Sequence, residues 1–291
     1  MSTPWDVNGK TILITGATNG IGLEASVELA RRGARVVMVG RNVDKTAAAV
    51  ADVKRRSGSP TVESLPCDFS SQKSIRALAD AYRARYERLD VLVNNAGGVF
   101  DTRTVTVDGL EATFATNHLG YVLLTRLLQD LLERSAPARV VIVASVGHRR
   151  GTMDFADLGY EKGYWIMKAY CRSKLGNVLF ANELARRFLE KNVDITVNSL
   201  HPGAVATGIW AGAPAWTKPL LTLFARPFFI SAEKGGSRIV HLAASPEVTG
   251  VTGKYFESNK SVWPSRLAQD TALAARLWDV SATLVGLPTS P

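Results

Sequence analysis

Short apolar runs alternate with stretches of helical periodicity along the whole chain. The apolar runs predict strands near 11–15, 35–39, 61–65, 89–93, 139–144, 194–200 and 253–256. The 3.6-residue periodicity predicts helices near 20–32, 44–57, 71–86, 108–134, 164–190, 231–244 and 266–285. Runs such as Ile12-Leu13-Ile14 are continuously apolar, the pattern of strands buried on both faces. Strand and helix in alternation predict right-handed crossovers and a parallel, doubly wound α/β sheet of about seven strands. In such sheets the ligand sits beyond the carboxyl ends of the strands, near the point where strand order reverses. Thr15, Gly40, Asp68, Asn95, Ser145 and His201 all fall at such ends.

Composition narrows the picture. The 291 residues are 46% hydrophobic and 21% charged, ordinary for a chain with a sizeable core. No proline- or glycine-rich linker, repeat or low-complexity run divides it, so residues 1–291 read as a single domain. The net charge of +9 raises nucleic acid as a partner. Lys and Arg are scattered, however, with no stripe interleaved with aromatics, and an anionic cofactor accounts for the charge more simply. The two cysteines and four histidines show no metal-ligand spacing, so no metal is expected. The start, MSTPWDVNGK, lacks the charge-then-apolar order of a signal peptide. No apolar stretch reaches the ~20 residues of a membrane span. The nearest, Leu220 to Ile230, is short and broken by Arg226 and Pro227. The expected setting is cytoplasmic.

Two stretches carry candidate chemistry. TILITGATNGIG, from Thr11 to Gly22, places a strand, a glycine turn and a helix in succession. Glycines admit a ligand close to the backbone, and a helix N-terminus offers free N–H groups and a positive dipole end to a phosphate. The spacing of Gly16, Gly20 and Gly22 is a variant of the commoner GxGxxG, and a tight turn without ligand is the alternative. Farther on, YCRSK sets Tyr170 and Lys174 at i and i+4 on one helix face. A nearby ammonium favours phenolate, so the pair is expected to lower the Tyr170 pKa and fit it for acid–base work. Taken alone, the pair would read as a solvated helix face.

Together the two stretches resemble the short-chain dehydrogenase/reductase family. Other motifs follow in family order: NNAG at Asn94 to Gly97, Asn117 within TNHLGYVLLT, Ser145 after a strand, and His201-Pro202-Gly203. The resemblance covers the chain from about Asn8 to about Leu287 and implies a Rossmann fold. It also implies cofactor contacts from Gly16, Thr18, Asn19, Gly20, Ile21, Gly22, Arg41, Asn42, Asp68, Phe69, Asn95, Ala96, Gly97, Tyr170, Lys174, Pro202, Gly203, Val205 and Thr207. The catalytic group it implies is Asn117, Ser145, Tyr170 and Lys174. In that mechanism Tyr170 passes a proton to or from the substrate oxygen and Ser145 holds that oxygen. Lys174 binds the nicotinamide ribose and lowers the Tyr170 pKa. Asn117 kinks its helix slightly and holds a relay water. Asp68 would accept from the adenine amino group, with an N-cap for the helix starting near Ser71 as its other role.

The second strand bears on cofactor choice. NAD sites of this class usually end that strand in Asp or Glu. Here it ends in Gly40, followed by Arg41, whose guanidinium can pair with a 2′-phosphate. The expectation is NADP(H) in preference to NAD. Asn19 occupies the other position that is basic in some NADP members.

Ser145 and Tyr170 lie 25 positions apart (170 minus 145). The long gap, TNHLGYVLLT, GKYF at Gly253 to Phe256 and RLWDVSATLVGL are similar to retinol dehydrogenases and WW-domain-containing oxidoreductases. Light-dependent protochlorophyllide reductases share the long gap and are an alternative, as is an NADP-binding redox sensor or scaffold without turnover. Substrate contacts are expected from Val146 to Lys168 and from a lid at about 204–230, whose Trp210, Trp216, Phe224, Phe228 and Phe229 suggest an apolar aldehyde, ketone or alcohol. Many relatives pair through the helices near 108–134 and 164–190, which would give a homodimer or homotetramer.

Overall fold

A computed structural model of the chain describes residues 5–203 and 230–289. Among these, β1 (Thr11–Thr15), α1 (Gly20–Arg31), β2 (Arg35–Gly40), α2 (Val43–Ser57), β3 (Val62–Pro66), α3 (Gln72–Arg85) and β4 (Val91–Asn94) form the first half. The second half begins with α4 (Ala112–Phe114), a π-helical turn (Ala115–Leu119), α5 (Gly120–Leu127) and α6 (Gln129–Arg134). There follow β5 (Ala138–Val143), a 3-10 turn (Val146–Arg150), α7 (Ile166–Glu190), β6 (Ile195–His201), α8 (Ala232–Ala244), β7 (Lys254–Glu257), β8 (Lys260–Val262) and α9 (Thr271–Leu284). The sheet runs β3-β2-β1-β4-β5-β6-β7-β8. Every pairing is parallel except β7 with β8. Strand order therefore reverses between β1 and β4.

Alternate residues of each strand enter opposite cores, as the two-residue period of a pleated strand requires. Leu13, Val37, Leu92 and Val140 join the layer with α3, α5, α7 and α9. Ile12, Ile14, Val36, Val91 and Val141 join the layer with α1, α2 and α8. Burial on both faces is why these strands read as unbroken apolar runs.

Three elements differ from expectation. The helix expected over 108–134 is interrupted. Gly120 N–H reaches back five residues to Ala115 O, which makes the π turn around Asn117, and the backbone breaks again at Leu128. The C-terminal helix begins at Thr271 rather than near 266, capped by Asp270 Oδ1 accepting from Leu273 N at 2.9 Å. An eighth strand closes the sheet through a turn in which Ser258 and Asn259 take left-handed φ of 49° and 64°. No helix among the described residues is long and apolar enough to cross a membrane. The expected lid at 204–230 lies outside the described residues up to 229, and so do Val205 and Thr207.

Candidate active site

The reversal between β1 and β4 opens a cleft of about 1080 Å³ along the carboxyl ends of the strands. At one end lies the glycine turn. Thr15 Oγ1 accepts from Asn95 N at 2.8 Å and Ala96 N at 2.9 Å, and Asn95 Nδ2 donates to Thr15 O at 2.8 Å and Gly16 O at 3.0 Å. The side chain of Asn95 is thus spent on stitching β4 to β1, and its backbone edge is what faces the cleft. Gly16 has φ +64°, and a Cβ there would lie 2.7 Å from Ala96 Cα. Only glycine fits both demands. Asn19 makes no side-chain cap for α1, so the first N–H groups of that 12-residue helix are left for a ligand. Gly16, Thr18, Asn19, Gly20 and Ile21 line the cleft. Gly22 is buried beneath the turn, where a Cβ would come within 2.6 Å of Asn95 Nδ2. Glycine at this position lets the turn close.

At the end of β2, a Cβ on Gly40 would run into Thr46 Oγ1 and Thr18 Cγ2. A carboxylate at that position would require Thr46 and Thr18 to shift. Arg41, next in sequence, is exposed and lines the cleft, with no hydrogen bond or ion pair among the described residues. Asn42 is not in the lining. It caps α2, accepting from Lys45 N at 2.9 Å. Asp68 and Phe69 line the adjoining wall. Asp68 Oδ1 accepts from Ser70 N at 2.9 Å and Ser70 Oγ at 2.8 Å, while Ser71 supplies the cap of α3. The alternative of Asp68 as N-cap is therefore taken by its neighbour.

At the other end, α7 and β5 bring three of the expected residues together. Tyr170 is 8% exposed, Ser145 7% and Lys174 2%. Ser145 Oγ accepts from Gly147 N at 3.1 Å, and its hydroxyl acts on the Tyr170 phenol, favouring the ionised form. Lys174 Nζ donates to Val143 O at 3.1 Å and stands 5.7 Å from the Tyr170 ring centre. Burial pushes the Tyr170 phenol up to about 12, with the Ser145 hydroxyl drawing it partly back. Burial alone pushes Lys174 down to about 8. The expected lowering of Tyr170 by Lys174 is not seen in this geometry: burial is the largest influence on the phenol, and the ammonium is not among the groups acting on it.

Asn117 is fully buried and does not line the cleft. Its Oδ1 accepts from Gly98 N at 2.8 Å, and its Nδ2 donates to Gly98 O at 2.9 Å and Ser173 Oγ at 3.1 Å. Both amide protons are committed, so Asn117 clamps the loop after β4 to α7. The helix deformation expected of it is present as the π turn, a feature often found at functional sites.

Ala96, Gly97, Pro202 and Gly203 line the cleft as expected. Of the segment 146–168, only Val146, Gly147, Arg149, Arg150 and Met167 do so. The part between them packs elsewhere. Arg172 Nε donates to Thr152 O at 3.1 Å and its Nη1 to Leu158 O at 3.0 Å, while Met153, Phe155 and Leu158 join the main core. The sequence reading missed Val99, Phe100, Thr104 to Val107, Thr116 and Cys171, which also line the cleft. Val99, Phe100 and Thr104 to Val107 could have been found by extending the strand-end rule into the loop that follows NNAG, whereas Thr116, in the π turn, and Cys171, on α7, carry no such signal.

Comparison with known proteins agrees with this geometry. The family model for short chain dehydrogenases matches residues 10–218. Human retinol dehydrogenase 14 is 40% identical over 299 aligned positions, covering 98% of this chain and 88% of its own length. The WW domain-containing oxidoreductase of Pongo abelii is 40% identical, covering 96% of this chain and 69% of its own. The Pseudomonas aeruginosa RhlG/NADP active-site complex is 25% identical, with a TM-score of 0.69, covering 94% of this chain and 100% of its own.

Proposed function

The chain belongs to the short-chain dehydrogenase family, oxidoreductases acting on alcohol or carbonyl groups, and on that premise we propose that it moves hydride between NADP(H) and an apolar carbonyl or alcohol, with Tyr170 as the acid–base group. The observation that carries this reading is one cleft with a phosphate-ready turn at one end and Ser145, Tyr170 and Lys174 at the other. A nicotinamide dinucleotide bound there supplies the hydride.

The protein's part is binding, orientation and proton handling. Gly16, Asn19 and Gly20, at the start of α1, suit the pyrophosphate. Arg41 suits a 2′-phosphate, and the steric block at Gly40 disfavours the carboxylate that NAD sites of this class use. Asp68, with Oδ2 making no hydrogen bond among the described residues, suits an amino donor. Ser145 and Tyr170, which line the same end of the cleft, suit contact with one substrate oxygen. Tyr170 gives that oxygen its proton when a carbonyl is reduced and takes it back when an alcohol is oxidised. Lys174, beside Gly97, is placed to hold ribose hydroxyls.

The apolar substrate class is supported by the walls around Tyr170. Val99, Cys171, Ile166 and Met167 pack against it. The aromatic segment 204–230 remains the candidate lid, and Val205 and Thr207 within it remain candidate cofactor contacts. Replacing Tyr170 with Phe removes the proton and leaves the ring. NADPH oxidation with a panel of apolar aldehydes and ketones should fall at least about 1000-fold, near the middle of the acid–base range. NADPH binding, followed by its fluorescence, should persist. Retained turnover in that variant defeats the proposal.

A further inference from the structure

His148 lies three residues beyond Ser145 and is fully buried. Its Nδ1 is 2.7 Å from Ser145 O, and its Nε2 is 3.0 Å from Ser265 N. A peptide carbonyl only accepts and a peptide N–H only donates, so the two partners dictate the ring's state. Nδ1 carries the proton, Nε2 offers its lone pair, and the imidazole is neutral. The ring centre lies 4.6 Å from that of Tyr255, edge to face, which fixes its plane. His148 N–H donates to the same Ser145 carbonyl at 3.1 Å. The neighbouring Arg149 reinforces the span, its Nη2 donating to Trp263 O at 2.9 Å and Glu257 Oε1 at 3.1 Å.

Two consecutive side chains thus tie the loop after β5 to the segment at 263–265. The carbonyl that His148 grips is one bond from Ser145 Cα, where the side chain begins. Fixing it restricts the direction from which Oγ reaches the phenol.

We infer that His148, held as the neutral Nδ1–H tautomer, is a positioning residue that aims Ser145 Oγ at the Tyr170 phenol and braces that aim against the C-terminal segment at Ser265. The inference rests on the role proposed above for Ser145. It implies an acid limit on turnover. A proton on Nε2 would face the Ser265 N–H, and the brace would open. The charged and titratable groups around the ring are Arg149 on its own turn, Glu257 and Tyr255 from β7, and His201 from β6. Burial, the largest influence, holds the imidazole below its usual range, so the brace is intact at neutral pH and is lost as the medium is acidified through that lowered value.

The test compares His148→Phe with His148→Asn, using NADPH and nonanal as the probe. Phe keeps a ring against Tyr255 and removes both hydrogen bonds. Asn keeps a donor near the Nδ1 position. We expect kcat to drop about 10- to 100-fold in His148→Phe with KM for NADPH nearly unchanged, and most of that loss to be rescued in His148→Asn. The acid limb of kcat should shift in His148→Asn relative to the wild type. A folded His148→Phe with wild-type kcat overturns the inference, as does an Asn variant as impaired as Phe. If His148→Phe does not fold, the Asn variant and 15N-histidine spectra of the wild type decide it. Those spectra must show Nδ1 protonated and Nε2 bare at pH 7.5, with the resonances assigned by their loss in His148→Asn. A protonated Nε2 sinks the inference. The spectra do not depend on turnover, so a wild type inactive on nonanal counts against the reading of the site and leaves this assignment to be judged on its own.

Discussion

Replacing Asn117 with Ala tests whether the π turn and the loop after β4 are held by one side chain. The substitution deletes three hydrogen bonds of 2.8, 2.9 and 3.1 Å. Each such bond contributes a net of about 0.5–1.5 kcal/mol. Gly98 is only half-buried, so water can reach its freed N–H and C=O and no full desolvation penalty is added. Ser173 Oγ keeps its bond to Tyr170 O at 2.7 Å. The sum is about 2–4 kcal/mol of stability. Urea unfolding followed by circular dichroism measures it directly. The freed Gly97–Gly98 loop borders Lys174, so kcat should fall as well, with NADPH still bound. Asn117→Asp is the control. It keeps an acceptor for Gly98 N but sets a carboxylate oxygen against Gly98 O, and it should be no better than Ala. A stability loss under about 1 kcal/mol, or full kcat in a destabilised Ala variant, refutes the clamp.

Arg41→Ala should raise KM for NADPH about tenfold, the low end for an exposed charge-assisted contact, and leave KM for NADH nearly unchanged. Equal effects on both cofactors contradict the assignment. His118 is fully buried, with Nε2 3.0 Å from Ser281 Oγ and Nδ1 3.3 Å from Asn177 Oδ1, and burial lowers its pKa from 6.5 to about 4. Its neutral form is favoured in the fold, so the associated stability is whole above about 6.5 and drains away as pH falls toward 4. That difference amounts to about 3 kcal/mol. Unfolding free energies at pH 7 and 4 should differ by more in the wild type than in His118→Gln, and parallel pH profiles would contradict this.

The sheet was largely readable because continuous apolar runs have few other uses. Ile12-Leu13-Ile14 and Val36 to Val39 are buried on both faces, and their alternate residues enter separate cores. The cleft's position followed from strand ends alone. The break in the helix over 112–134 was less legible. Its apolar periodicity runs on through the π turn, and the hydrogen bonds that tie Asn117 to Gly98 are tertiary contacts that local pattern does not record. β8 was missed because its turn uses Ser258 and Asn259 in the left-handed region instead of glycine. Gly22 and Asn42 have backbone roles that the motif alone does not record. One lets the turn close, and the other caps α2. Most of the inserted stretch before Tyr170 lies away from the cleft because Arg172, within the YCRSK run itself, draws its carbonyls onto α7.

The i,i+4 spacing of Tyr170 and Lys174 invites the view that the ammonium makes the phenol acidic, yet the geometry assigns the larger effect to burial. Lys174 Nζ is turned to Val143 O, and both groups are pushed toward their neutral forms. A phenol near 12 is protonated at pH 7, ready to donate, and still a far stronger acid than the aliphatic alcohol it would form. Reduction of a carbonyl therefore needs no further tuning of Tyr170. Oxidation of an alcohol needs the phenolate, which burial makes scarce at pH 7. With Tyr170 as the acid–base group, the two directions are therefore expected to differ in their pH dependence. The oxidation rate with NADP and an apolar primary alcohol should climb about tenfold per pH unit from 7 toward 10, while reduction with NADPH stays flat over that range. The two profiles can be measured on one preparation at saturating cofactor. An oxidation rate that levels off below pH 8 would mean that the cation, not burial, governs the phenol.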